Sequence, residues 1–123
     1  KTKITTEQAD TKTAVISSGK LTEKEFKVLE FLVNKDINWK NPIHGRMLTK
    51  IIFDNETIEK YSFARSAKTV IDTMTFSYLG KMCKKDLIQS SFERIDNYCF
   101  YTGHYCTYKG KKVYEDYVLS QSL

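Results

Sequence analysis

A chain of 123 residues suits one domain, and a domain of that size closes an ordinary core without metal or disulfide. Lys and Arg number 20 against 15 Asp and Glu, and the resulting charge of +5 suits an anionic partner, nucleic acid or a membrane surface, without requiring one. Three cysteines (Cys83, Cys99, Cys106) cannot all pair within one chain, and neither a targeting segment nor an apolar run of the roughly 18 residues a membrane helix needs is visible, so a reducing, cytoplasmic setting is expected.

Residues 1–20 are polar and read as a flexible arm, with a short strand near Ala14–Ser17. The domain proper is expected over 21–123. Its first helix starts at Leu21-Thr22-Glu23-Lys24-Glu25-Phe26. Thr22 caps, Glu25 reaches back to the cap's N–H, and Leu21 packs on Phe26. Phe26, Leu29, Leu32 and Val33 recur at helical spacing and carry the helix to about Asn34. Asn41-Pro42 and Gly45 mark a connection, with Trp39 as its anchor on the core. Met47, Leu48, Ile51 and Ile52 suggest a second helix over Arg46–Phe53, and Asp54-Asn55-Glu56-Thr57 a new cap and a short helix over Glu56–Tyr61. A longer helix is expected from Ser66, as N-cap, to about Lys85, with Ala67, Val70, Ile71, Met74, Tyr78 and Met82 on one side. After Leu87 the period changes. Strands are expected over Tyr98–Tyr101, His104–Tyr108 and Lys112–Leu119, with Lys109-Gly110-Lys111 as a turn.

Helix, helix, longer helix and then a basic-tipped hairpin is an order that resembles the winged helix-turn-helix superfamily over roughly Leu21–Leu119. Ser66-Ala67-Lys68-Thr69-Val70-Ile71 looks like the start of a recognition helix, and Lys84-Lys85-Asp86-Leu87-Ile88 like its end and the lead into the wing. The resemblance implies an α+β fold, three to four helices followed by a β-hairpin wing, and a sequence-specific binder of double-stranded DNA. A small transcription regulator or a replication or segregation factor of phage or plasmid type would fit. Two departures stand out. About a dozen residues separate Phe53 from Ser66, where a helix-turn-helix has three or four, and Asp86 follows Lys85 where Gly is commoner.

The residues themselves support the same face. Side chains at the start of a groove-bound helix reach base edges, which here nominates Ser66, Lys68, Thr69, Asp72 and Thr73, with Arg65 placed for a phosphate. Lys109, Lys111 and Lys112 would form a cationic wing tip. Between Arg65 and Lys85 five basic residues (Arg65, Lys68, Lys81, Lys84, Lys85) stand against Asp72 alone. The competing explanation is plain: lysines at a helix end complement its dipole and lysines on a turn are solvated.

Other signals are weighed against simpler roles. Cys99, His104 and Cys106, with Cys83, offer a zinc-like set that lacks a close Cys-x-x-Cys pair; buried hairpin cysteines are commoner. Phe76, Leu79, Gly80 and Cys83 lie off the main apolar face, as a homodimer contact or as a surface covered by the hairpin, where Gly80 would permit close approach. The tyrosines at 98, 101, 105, 108, 114 and 117 could stack on bases but more often form cross-strand pairs. His44 and His104 have no nucleophile at a recognisable spacing, and Asp54 with Glu56 suits a cap better than a metal. No enzyme and no cofactor are expected. The alternative is a protein-interaction module on the same scaffold, using the aromatic hairpin without nucleic acid.

Overall fold

The computed structural model describes residues 13–16 and 19–122 as an α+β chain in which helices precede a long antiparallel hairpin and one helix follows it. Of the expected arm, residues 1–12, 17 and 18 lie outside the described set. The rest form β1 (Thr13–Ile16) and β2 (Gly19–Thr22), paired antiparallel from Thr13↔Thr22 to Ile16↔Gly19. Helix α1 (Glu23–Asn34) then begins on the expected capping box. Thr22 Oγ1 accepts from Glu25 N–H at 3.1 Å, and Glu25 Oε1 accepts from Thr22 N–H at 3.0 Å.

A short 3-10 turn, Gly45–Leu48, runs into α2 (Thr49–Ile52), and α3 (Asn55–Lys60) follows. Asp54 caps α3 by accepting from Thr57 N–H at 2.7 Å, and that bond holds its carboxyl below the usual range. Asp54 is thus a cap, as the sequence favoured.

The long helix α4 is Val70–Lys84, not Ser66–Lys85. Residues before it form a small hairpin, β3 (Ala64–Arg65) with β4 (Lys68–Thr69). Ser66 sits in its turn at φ 61°, so it cannot be the N-cap; Thr69 is, accepting from Asp72 N–H at 3.2 Å. The long interval after Phe53 therefore holds a helix and a hairpin. At the other end, Asp86 takes φ 64° and closes α4, with Asp86 N–H bonded to the Cys83 carbonyl and Leu87 N–H to that of Met82. α1 closes the same way on Asp36, at φ 55°, followed by Ile37.

Strand β5 (Ile88–Ile95) pairs antiparallel with β6 (Tyr98–Cys106), from Ile88↔Cys106 to Ile95↔Tyr98, with a bulge between Ser91 and Phe92. Ile43 adds a short bridge to His104, each N–H donating to the other's carbonyl. Gly103 is required there: at φ 152°, an added Cβ would lie 2.7 Å from the Ile43 carbonyl oxygen.

The expected third strand, Lys112–Leu119, is helix instead. Tyr108–Ser122 forms α5, so the Lys109-Gly110-Lys111 turn does not exist and the hairpin covers 88–106, not 98–119. Two contacts explain this. Thr107 Oγ1 accepts from Gly110 N–H at 2.9 Å, a helix cap. Gly110 is buried against the end of α4, where a Cβ would meet the Leu87 carbonyl oxygen at 2.0 Å. Val113 then enters the core, and Tyr114 and Tyr117 pack on Phe26 of α1 at ring-centroid distances of 5.4 and 4.7 Å. The core joins Leu21, Val28, Leu29 and Leu32 to Leu48, Ile52, Leu79, Met82, Leu87, Ile88 and Val113.

Candidate nucleic-acid interface

Burial along α4 separates its faces. Ile71, Thr75, Leu79 and Met82 are buried, whereas Thr73, Ser77, Lys81 and Lys84 are exposed. Those four follow at i, i+4, i+8 and i+11, so they form one stripe along the helix. The stripe begins with small polar side chains and ends with two lysines. Gly80 lies beside it, and a Cβ there would meet nothing within 4 Å. Gly80 therefore serves no close approach within this chain.

The sequence-nominated residues divide into two groups. Arg65, Ser66 and Lys68 are exposed on the β3–β4 turn just ahead of α4, and Thr69, Asp72 and Thr73 occupy its cap and first turn. These six come together. Asp72 is engaged by Arg46, Nε to Oδ2 3.4 Å, which offsets the one acid among them. Lys68 Nζ lies 5.5 Å from the centre of the Phe76 ring.

Lys109, Lys111 and Lys112 do not join this group. They sit on α5, whose start is bonded to Asp86 and Leu87 through Thr107. That is the far end of α4 from Thr69, about 22 Å away along a helix of 15 residues. The expected single footprint of helix start plus lysine tip is thereby overturned. Lys85 also leaves the set of available cations, since its Nζ lies 2.7 Å from Oε2 of the buried Glu25.

The β5–β6 hairpin takes the place of the expected tip. Its base adjoins the end of α4, and its course brings Phe92 and Tyr101 into the same cleft as Lys68 and Phe76, so its turn extends toward the start of α4. Charge near the turn is Glu93, Arg94 and Asp96, so the tip is not basic. Arg94 pairs with Cys99, two positions from the Phe92↔Tyr101 pair, and therefore lies on the cleft-side face. Ile95, Tyr98 and Phe100 lie on the opposite face and are 50%, 69% and 50% exposed.

The remaining candidates resolve individually. Leu79 is fully buried and Phe76 packs edge-on against Tyr101 at 5.7 Å, so the hairpin side of α4 is covered within the chain at those positions. Among the described residues, no group of three or more His, Cys, Asp and Glu could hold a metal ion. Cys99 is exposed, whereas burial pushes the Cys106 thiol up to about 11 and raises Cys83. Half-buried Tyr101 pairs with buried His104, hydroxyl to Nδ1 2.6 Å, and Tyr101 OH accepts from Gly45 N–H at 2.8 Å. Trp39 is exposed, not an anchor on the core. Tyr114 and Tyr117 pack on α1, and so are not a base-stacking surface.

Sequence reasoning missed Arg46, Ser77 and Arg94. Ser77 follows Thr73 by four residues and is recoverable from period alone; Arg46 meets Asp72 only through the tertiary fold.

No family model, curated protein or solved structure matches this chain. Among the described residues, no helix is long and apolar enough to cross a membrane.

Proposed function

We propose that this chain is a winged-helix module that binds double-stranded DNA, with α4 in the major groove and the β5–β6 hairpin as the wing. The observation that carries this is the exposed stripe Thr73–Ser77–Lys81–Lys84, continued at the helix start by Arg65 and Lys68. Small polar side chains let a helix approach base edges closely, and flanking cations meet phosphates. Asp72, tied to Arg46, presents little unbalanced charge to the backbone. With about four phosphate contacts, from Arg65, Lys68, Lys81 and Lys84, the log–log slope of affinity against salt should be roughly −3 to −4.

Fluorescence anisotropy with a labelled duplex at several salt concentrations tests this. Lys81→Glu with Lys84→Glu should weaken binding about 10- to 100-fold and make the slope shallower by about 2. Wild-type affinity and slope in that variant, with an unchanged circular dichroism spectrum, would remove DNA binding through this face.

One observation favours a second role for the hairpin. The hairpin face opposite the cleft carries exposed Ile95, Tyr98 and Phe100, with Glu93 opposite Phe100. A protein contact there, with a second copy or another chain, is compatible with DNA on the other face. Ile95→Ser with Tyr98→Ser should then lower any self-association seen by sedimentation and leave the DNA salt slope intact.

A further inference from the structure

Between α4 and the hairpin lies an open cleft of about 560 Å³, bounded on its third side by His44 and Arg46. Its floor is aromatic. Phe76 meets the edges of His44 and Tyr101 at 5.8 and 5.7 Å, and Phe92 lines the opposite wall. The polar groups below are mutually bonded. Tyr101 OH accepts from Gly45 N–H and lies 2.6 Å from His104 Nδ1, and His104 Nε2 lies 3.3 Å from Ser90 Oγ. In the tautomer where the hydroxyl donates to Nδ1, the neutral ring carries its single proton on Nε2, directed at Ser90 Oγ. Burial, reinforced by His44, holds His104 down at about 4, so this imidazole is uncharged at neutral pH. The mouth does carry charge: Lys68 and Arg46 against Asp72. Gly80 opens the α4 wall, where an added Cβ would meet nothing within 4 Å. Glycine inside a helix is destabilising relative to alanine, so packing within the chain does not account for it.

We propose that this cleft binds a small flat aromatic molecule bearing one anionic group. Several hundred Å³ of largely apolar space with a few convergent polar groups is the form small-molecule sites take. The ring lies along Phe76 and Phe92 over the open Gly80 wall. The anion meets Lys68 and Arg46 and competes with Asp72 for the guanidinium. An aryl carboxylate and a nucleoside monophosphate share this chemistry. Lys68, Arg46 and Asp72 also belong to the end of α4 assigned to DNA. Occupancy therefore weakens DNA binding, and DNA weakens occupancy by the same factor. That coupling rests on the DNA-binding proposal; the occupancy itself does not.

Calorimetric titration of the whole chain without DNA tests occupancy, using 2-naphthoate and uridine 5′-monophosphate as probes. Uncharged 2-naphthylmethanol and ringless acetate serve as controls. At least one anionic aromatic probe should saturate a single site, with both controls at least tenfold weaker, and the arm that saturates identifies the source. Gly80→Leu, whose side chain grows into open space, should abolish binding without lowering the melting temperature. Lys68→Gln, at an exposed position, should weaken it at least fivefold and serves if the leucine variant misfolds. Failure of both probes to saturate, or wild-type binding in both folded variants, overturns the site. Saturation by a probe in a protein that never binds duplex would refute the DNA reading and leave the cleft standing.

Discussion

The starts of α4 and α5 look alike in sequence and have opposite fates. Each has a threonine cap beside lysines: Lys68-Thr69 for α4, and Thr107 followed by Lys109, Lys111 and Lys112 for α5. The α4 start lies under an exposed turn, with Arg65 and Lys68 facing solvent. The α5 start is bonded to the chain, with Thr107 bonded to Asp86 and Leu87 and Gly110 pressed on the Leu87 backbone. The α4 start is tied to the chain as well, Val70 and Ile71 N–H donating to the Phe63 and Tyr61 carbonyls, so the two starts differ in position: only that of α4 adjoins the exposed stripe and the cleft beside it. Substitutions at the two starts should separate accordingly.

The largest effect is expected at Gly110. An added methyl group cannot fit 2.0 Å from a backbone oxygen, so α5 must shift off the end of α4. Gly110→Ala should lose about 3 kcal/mol or more in urea denaturation, toward the upper end for overpacked sites. Next comes acid sensitivity at the cleft floor. His104 is buried and held at about 4 in the folded chain, against an ordinary value of 6.5. The unfolded imidazole therefore takes its proton first as pH falls. The contribution is complete above pH 6.5 and is lost between about 6.5 and 4, amounting to about 2–3 kcal/mol. Denaturation midpoints across that range should show the step, and His104→Gln should flatten it.

The caps themselves sharpen the contrast. Thr107→Ala removes a cap and a hydroxyl whose one proton is shared between the Asp86 and Leu87 carbonyls, and should cost about 2 kcal/mol, whereas Thr69→Ala should cost about 1, both by thermal denaturation. Smallest of all is charge reversal at α5. Lys109→Glu with Lys112→Glu should change DNA affinity less than about twofold and the salt slope by less than about 1, since these side chains lie beyond the proposed footprint. A drop matching that at Lys81 and Lys84 would erase the distinction between the two starts.

Much of the scaffold was legible because its signals are local. Thr22 and Glu25 form a box within four residues, and Asp54 caps α3 where the Asp-Asn-Glu-Thr run implied. Thr69 displaced Ser66 as the cap of α4 because a two-stranded turn absorbs 64–69, a pairing too short to leave a pattern. The α5 segment misled for another reason. Tyr and Val favour strands, and that preference outweighed a helical period: Gly110, Val113, Tyr114 and Tyr117 recur at i, i+3, i+4 and i+7. Assigning it to a wing moved the hairpin and, with it, three site lysines. The Arg46–Asp72 pair and the cleft have no such trace, since they join residues from separate elements, the 3-10 turn, α4 and the hairpin.

The clasp of Ile43 on His104 has a mechanical consequence. It clamps the hairpin near its root, where the strands also meet the core at Ile88 and Cys106. From Phe92 to Phe100 every residue is exposed, and the bulge at Ser91 and Phe92 marks where support stops. The hairpin is thus a cantilever, rooted in the domain and unbraced along its outer span. A load on the outer strands would therefore bend the hairpin at the bulge before it disturbed the packing of the helices.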